Sequence, residues 1–158
     1  MGRLRKKNLP KELKAIQKFI KKHHIFNIAV HANNELWTAT CFYAFYPDLM
    51  ALIFSTSTET KHGALMLINP EVVGTIALET KLIGKIQGIQ FKGTVCQPNE
   101  KLLKVIKKIY YKRFPFTIGS DTSFWILYLN YIKFTNNKIG FSKKIIWERD
   151  NEIKISDK

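Results

Sequence analysis

The chain has 158 residues, the length of one domain, with 26 Lys and Arg against 12 Asp and Glu and a net charge of +14. Its 46% hydrophobic and 13% aromatic residues suit a packed core and exclude a disordered basic tail. No uninterrupted apolar run exceeds six residues, whereas a membrane-spanning helix needs about twenty and a secretory signal roughly 7 to 15, so a cytoplasmic protein without membrane partners is expected. Cys41 and Cys96 show neither CxxC nor Cys/His ligand spacing. That argues against a disulfide framework or structural zinc and predicts two reduced core thiols.

Residues 1–22 carry nine basic residues, Arg3, Arg5, Lys6 and Lys7 among them, and one acid, Glu12, for a local charge of +8. Leu13, Ile16, Phe19 and Ile20 recur at helical spacing, with Pro10 in the first turn and Asn8 as a candidate cap. This predicts an amphipathic helix with its lysines in solvent. Strands are expected at Ile25–His31, Leu36–Tyr46 and Leu49–Phe54, separated by turns at Asn33-Asn34 and Pro47-Asp48, in an antiparallel meander. A hydroxyl-rich connector, Ser55 to Lys61, leads into a helix at Ala64–Ile68 that Asn69-Pro70 stops. Val72–Leu78 and Ile86–Val95 read as strands, the second with Gly88 and Gly93 placed for bulges or close backbone approach. Pro98 opens a helix with Leu102, Leu103, Ile106, Ile109 and Tyr110 on one face. Phe124–Phe134 is apolar on both alternating faces, fitting a strand buried on both sides, and Asn136-Asn137 turns the chain toward Ile139–Trp147.

Seven strands with three interspersed helices favour a mainly β fold, a small antiparallel barrel with α-helices, in one domain. The expected bounds are a basic N-terminal helix over 1–24 packed on the barrel, the barrel over 25–149 and a polar tail over 150–158.

The connector carries the most chemistry. Ser55, Thr56, Ser57, Thr58 and Thr60 surround a helix start, where free N–H groups and the helix dipole attract an anion and Lys61 adds a full charge. An ordinary turn, capped by Ser57 or Thr58 with Lys61 solvated, accounts for the same residues. His23, His24, His31 and His62 lack a metal-ligand pattern, and no serine sits in a nucleophile elbow. Gln87 and Gln90 lie on opposite faces of one strand, so one could reach a ligand while the other sees solvent; a buried amide is an equal account. Lys101, Lys104, Lys107, Lys108, Lys112 and Arg113 are spread around their helix as a solvated face would be, without a recognition motif, so nucleic acid is an unlikely partner.

Several segments resemble the FMN-binding split barrels related to pyridoxamine 5′-phosphate oxidase, and more narrowly their uncharacterised YhbP-type branch. They are Leu36-Trp-Thr-Ala-Thr-Cys-Phe-Tyr43, Phe54-Ser-Thr-Ser-Thr-Glu-Thr-Lys-His62 with Asn69-Pro70, Ile86-Gln-Gly-Ile-Gln-Phe-Lys-Gly93, and Lys133 to Lys144 before Trp147. The resemblance implies a homodimer of six-stranded antiparallel split barrels with FMN at the subunit interface. It places the flavin ring along Trp37, Thr38, Ala39 and Thr40, and the phosphate at Phe54, Ser55, Ser57, Thr60 and Lys61. Gln87 or Gln90 would approach the ring, and Lys143 or Lys144 would reach it from the partner chain. A flavin-dependent oxidoreductase of unknown substrate follows; a non-catalytic module of the same fold, for haem, another anionic planar ligand or no ligand, is the alternative. Trp37 and Thr60 stand where the oxidase has arginines and Phe42 where it has a substrate-binding lysine, which argues against pyridoxine phosphate oxidation itself.

Overall fold

The computed structural model describes residues 9–120, 122–141, 143–151 and 153–156. Their order is α1 (Lys11–Lys22), β1 (Ile25–Ala32), β2 (Glu35–Phe42), β3 (Ala44–Tyr46), β4 (Ala51–Ser55), α2 (Lys61–Ile68), β5 (Glu71–Ala77), β6 (Gln87–Cys96), α3 (Glu100–Arg113), β7 (Phe124–Asn136), β8 (Lys144–Glu148) and β9 (Lys154–Ser156). Short 3₁₀ turns at Pro47–Leu49, Ile83–Lys85 and Pro115–Thr117 complete it. All nine strands belong to one antiparallel sheet, ordered β2-β1-β5-β6-β7-β4-β3, with β8 on β7 and β9 on β8.

The first helix forms as its periodicity requires. Ile16, Phe19 and Ile20 are buried in the main core beside Phe26, Phe54 and Trp125. Its N-cap is Pro10 without a side-chain cap; Asn8, Arg3, Arg5, Lys6 and Lys7 lie outside the described residues. At the other end Lys21 and Lys22 complement the helix dipole, and Arg113 donates to the His23 carbonyl at 2.8 Å.

The expected meander is instead two hairpins. Asn33 and Asn34 both adopt positive φ, 51° and 61°, as a tight two-residue hairpin turn demands, and pair β1 with β2 from Ala32↔Glu35 to Ile25↔Phe42. The strand read as Leu36–Tyr46 breaks at Tyr43. Its buried phenol donates to the Ile20 carbonyl at 2.6 Å and its amide to His24 at 2.9 Å, which turns the chain from β2 into the β3–β4 pair. Two further differences lie at the C-terminal end: β8 starts at Lys144 rather than near Ile139, and the segment read as a polar tail contains β9.

β7 is buried on both faces over Phe124–Leu127. Trp125, Leu127 and Leu129 enter the main core, while Phe124 and Ile126 form a second cluster with Ala51, Ile53, Ile106 and Tyr110, roofed by α3. That helix starts at Glu100, capped by the Asn99 side chain on Leu102 N at 2.9 Å. A bulge interrupts the β6–β7 ladder: Lys92 pairs with Tyr131 but Gly93 with Leu129, so Asn130 is the extra residue. The bulge changes which residues face inward, from Trp125, Leu127 and Leu129 to Ile132 and Phe134. Gly93 sits there because a Cβ would lie 2.5 Å from both Leu127 Cδ1 and the Tyr128 carbonyl oxygen. Gly88 pairs with Ala77 in regular register.

One edge of β7 bonds to β6 from Ile126 to Asn136; the other is shared by β4, over Phe124–Tyr128, and β8, over Tyr131–Thr135. Arg149 fills the gap between those two partners. Its guanidinium donates to the carbonyls of Leu129 at 2.7 Å, Leu49 at 3.1 Å and Met50 at 3.2 Å. The Met50 carbonyl also accepts from Leu129 N at 3.0 Å, so replacing Arg149 with Met removes the guanidinium donor from the Leu49 and Leu129 carbonyls and is expected to cost about 2–3 kcal/mol in urea unfolding, whereas exposed Lys18→Ala stays within about 0.5 kcal/mol of the parent.

Candidate functional site

β2 is the outer strand of its end of the sheet, so one row of its backbone groups has no partner in the ladder. Register fixes its faces. Thr38 and Thr40 stand opposite Ala29 and Asn27 on the outer face, while Trp37, Ala39 and Cys41 share the other face with Val30, Ile28 and Phe26. Thr38 Oγ1 donates to the Ile28 carbonyl at 3.0 Å, and Thr40 Oγ1 to Asn27 Oδ1 at 2.6 Å.

The hydroxyl-rich connector is ordered from within. Thr60, not Ser57 or Thr58, caps α2: its Oγ1 accepts Gly63 N at 3.1 Å and donates to the Ser57 carbonyl at 2.8 Å. The helix therefore begins at Lys61 rather than Ala64. Ser57 Oγ accepts Glu59 N at 3.1 Å, Ser55 pairs with Thr122, and Trp125 Nε1 donates to the Thr56 carbonyl at 3.2 Å. His62 Nε2 lies 2.7 Å from Thr56 Oγ1 and 3.3 Å from Thr60 Oγ1, tying the connector to the helix.

Lys61 meets the β2 strand. Its Nζ is 3.0 Å from Glu35 Oε2 and 4.8 Å from the Trp37 ring centroid, so the two segments that the resemblance assigns to one ligand are neighbours. The lysine and glutamate are about half exposed, at 46% and 54%, and such a pair contributes little to stability. Glu35 nevertheless neutralises the charge that an incoming anion would use.

A second feature lies on the outer sheet face, a cavity of about 540 Å³ lined by Asn27, Ala29, Thr38, Val73, Gly74, Thr75, Gln90, Lys92, Tyr131 and Lys133 among others. The volume falls in the range of small-molecule sites. It brings Thr38 and Gln90 together from β2 and β6. Gln90, exposed on the outer face, is thus the glutamine that reaches the cavity; Gln87 lies half-buried at the start of β6 outside its lining. Lys61, Ser55, Ser57 and Thr60 also lie outside that lining. Phe54 is fully buried, stacked near Trp125 and edge-on to Phe26, so its side chain belongs to the core. Lys143 lines a separate cavity of about 230 Å³ beside Lys11 and Glu12 of α1.

Cys96 departs from the expected core thiol. It is exposed, whereas Cys41 is partly buried, and burial pushes the Cys41 thiol up to about 11. Residues that the sequence reading passed over are Glu35, Asn27, Lys92, Tyr131 and Lys133. The Asn33-Asn34 turn carried a usable signal for two of them, since its register places Asn27 opposite Thr40 and Glu35 at the hairpin end.

Desolvation lowers the His62 pKa below its ordinary 6.5, and burial lowers that of His23 as well. For each, the unfolded chain binds the proton more readily, so stability rises with pH through this range. The contribution is present above about pH 6.5 and is lost as pH falls below it. His62→Asn is therefore expected to flatten, without abolishing, the decline in urea midpoint between pH 7.5 and 5, with His23 supplying the remainder.

A scan against protein-family models finds no match. The chain is 39% identical over 142 residues to a UPF0306 protein of Photorhabdus laumondii, covering 90% of this chain and 99% of that one. It is 37% identical over 142 residues to a UPF0306 protein of Yersinia pseudotuberculosis, covering 90% and 97%. Its fold is similar to that of a haem-binding protein from Mycobacterium smegmatis, with TM-score 0.73, 14% identity, 89% of this chain and 59% of that chain. It is also similar to a pyridoxamine 5′-phosphate oxidase-related, FMN binding protein from Nostoc punctiforme, with TM-score 0.68, 10% identity, and 94% and 97% coverage. These likenesses establish the mainly β, split-barrel class, with nine strands among the described residues where the sequence pattern predicts seven and the resemblance implies six. Among the described residues no helix is long and apolar enough to cross a membrane. With relatives this similar along nearly its whole length, the chain belongs to the UPF0306 family.

Proposed function

We propose that this protein binds FMN between the outer face of β2 and the cavity beside it, with Lys61 near the phosphate and Thr38 and Gln90 toward the ring. The observation that carries the reading is the meeting of Thr38 and Gln90 in one cavity of about 540 Å³; Lys61 adjoins the same strand from its other face, through Glu35 and Trp37, so the phosphate would reach it around the open edge of β2. The donors suit a flavin: hydroxyl, amide and ammonium groups border an apolar floor of Ala29 and Val73.

Bound FMN would supply hydride or electron transfer, and the protein binding and orientation, so the absence of a local triad is no obstacle to an oxidoreductase role. The unpaired edge of β2, with Leu36, Trp37 and Phe42 exposed beside it, supports a second copy of the chain as the partner. On this reading the chain is a cytoplasmic, YhbP-type member of the flavin-related split barrels. Haem is the second reading, favoured by the fold shared with the mycobacterial haem-binding protein.

Titration of the purified protein with FMN, riboflavin and haemin separates these readings. FMN fluorescence quenching that saturates supports the flavin site, and quenching absent at millimolar FMN contradicts it. Lys61→Ala is expected to weaken FMN by about 1–2 kcal/mol, the scale of a charge-assisted contact discounted for its exposure, and to leave riboflavin unchanged.

A further inference from the structure

The cavity's far wall holds charge that the flavin reading does not use. On β6 and β7, Gln90 pairs with Lys133 and Lys92 with Tyr131, and both pairs lie on the outer face. Lys92 and Lys133 are therefore diagonal neighbours, about 7–8 Å apart at their backbones. Among the described residues no carboxylate lines the cavity; Glu71 and Glu148 stand diagonal to Lys92 and Lys133 on the same face, but Glu71 accepts from Thr94 Oγ1 at 2.8 Å and Glu148 from Asn151 at 2.7 Å. Among the described residues the one ion pair is Lys61 with Glu35, so neither of these lysines is in direct contact with a carboxylate. Lys133 is half-buried, and Lys92 Nζ rests 5.7 Å from the Tyr131 ring centroid.

Two like charges on one sheet face repel each other, and partial burial of one of them strengthens that repulsion by thinning the solvent between them. An anion between them removes the repulsion and gains two charge-assisted hydrogen bonds. The remaining lining supplies the other half of a recognition surface: Ala29 and Val73 form an apolar floor, and the Tyr131 ring and Gln90 amide lie beside the lysines.

We propose that Lys92 and Lys133 form an anion-binding subsite, separate from Lys61, that takes the charged group of a planar organic anion lying on the Ala29–Val73 floor. The ligand class is an aromatic carrying a carboxylate, sulfonate or phosphate. The subsite stands on its own geometry whether or not FMN binds.

The test uses two dyes with the same aromatic body, anionic 8-anilinonaphthalene-1-sulfonate and uncharged N-phenyl-1-naphthylamine, titrated by fluorescence against the full chain. In the Lys92→Gln, Lys133→Gln double variant the sulfonate dye is expected to bind about tenfold more weakly, with the uncharged dye unaffected and thereby reporting an intact cavity. Lys18→Ala, on the exposed face of α1, is expected to leave both dyes unchanged. Three results would overturn the proposal: no binding of the sulfonate dye to the parent protein, equal affinity in the double variant, or a parallel loss of both dyes. If FMN fails to bind while the dye pattern holds, the flavin reading is lost and the subsite stands.

Discussion

The structure depends on how β7 satisfies its hydrogen bonds after its two partners on one edge part company. β4 covers the first half of that edge and β8 the second, and between them lies Leu129-Asn130. Carbonyls left there without donors would each cost on the order of 1–3 kcal/mol. Arg149 supplies the donors: its guanidinium binds Leu129, Leu49 and Met50, and its own amide donates to the Asn130 carbonyl at 2.9 Å. One cation thus stitches the turn before β4, the middle of β7 and the end of β8 into one sheet. Asn130 completes the join by donating to Thr94 Oγ1 at 2.8 Å.

The same junction shapes the candidate site. Asn130 is the extra residue of the bulge, and it reverses which alternate residues of β7 face the core. Before it Leu127 and Leu129 point inward; after it Ile132 and Phe134 do, which sends Tyr131 and Lys133 to the outer face beside Gln90 and Lys92. Without that reversal, Tyr131 and Lys133 would point into the core. The other pole of the site rests on a different device, the Thr60 cap that starts α2 at Lys61 and delivers its charge to Glu35 and Trp37.

What the sequence revealed follows the range of the forces involved. Short-range signals were readable: the periodic apolar stripe of α1, the Asn33-Asn34 turn, the doubly apolar run of β7 and the close approach at Gly93. The break at Tyr43 was not, because it depends on a phenol reaching the Ile20 carbonyl on a helix twenty-three residues away. Arg149 was equally hidden, since its acceptors lie about twenty and one hundred residues earlier. The site shows the same division. Lys61 could be found from its place beside a helix start, and Gln90 from strand alternation, but choosing Gln90 over Gln87 required knowing which face carries the cavity. Lys92 and Lys133 acquire meaning only once β6 and β7 are paired.

The central claim is that ligand recognition occurs on the outer face where β2, β1, β5, β6 and β7 present polar side chains over an apolar floor. Backbone amide chemical shifts of the isotope-labelled protein during addition of FMN test it most directly. The account predicts that the largest changes cluster at Thr38, Thr75 and Gln90, with a second set at Lys61 across the edge of β2. Changes concentrated instead on α3, or around Lys143 and the α1 cavity, would contradict it.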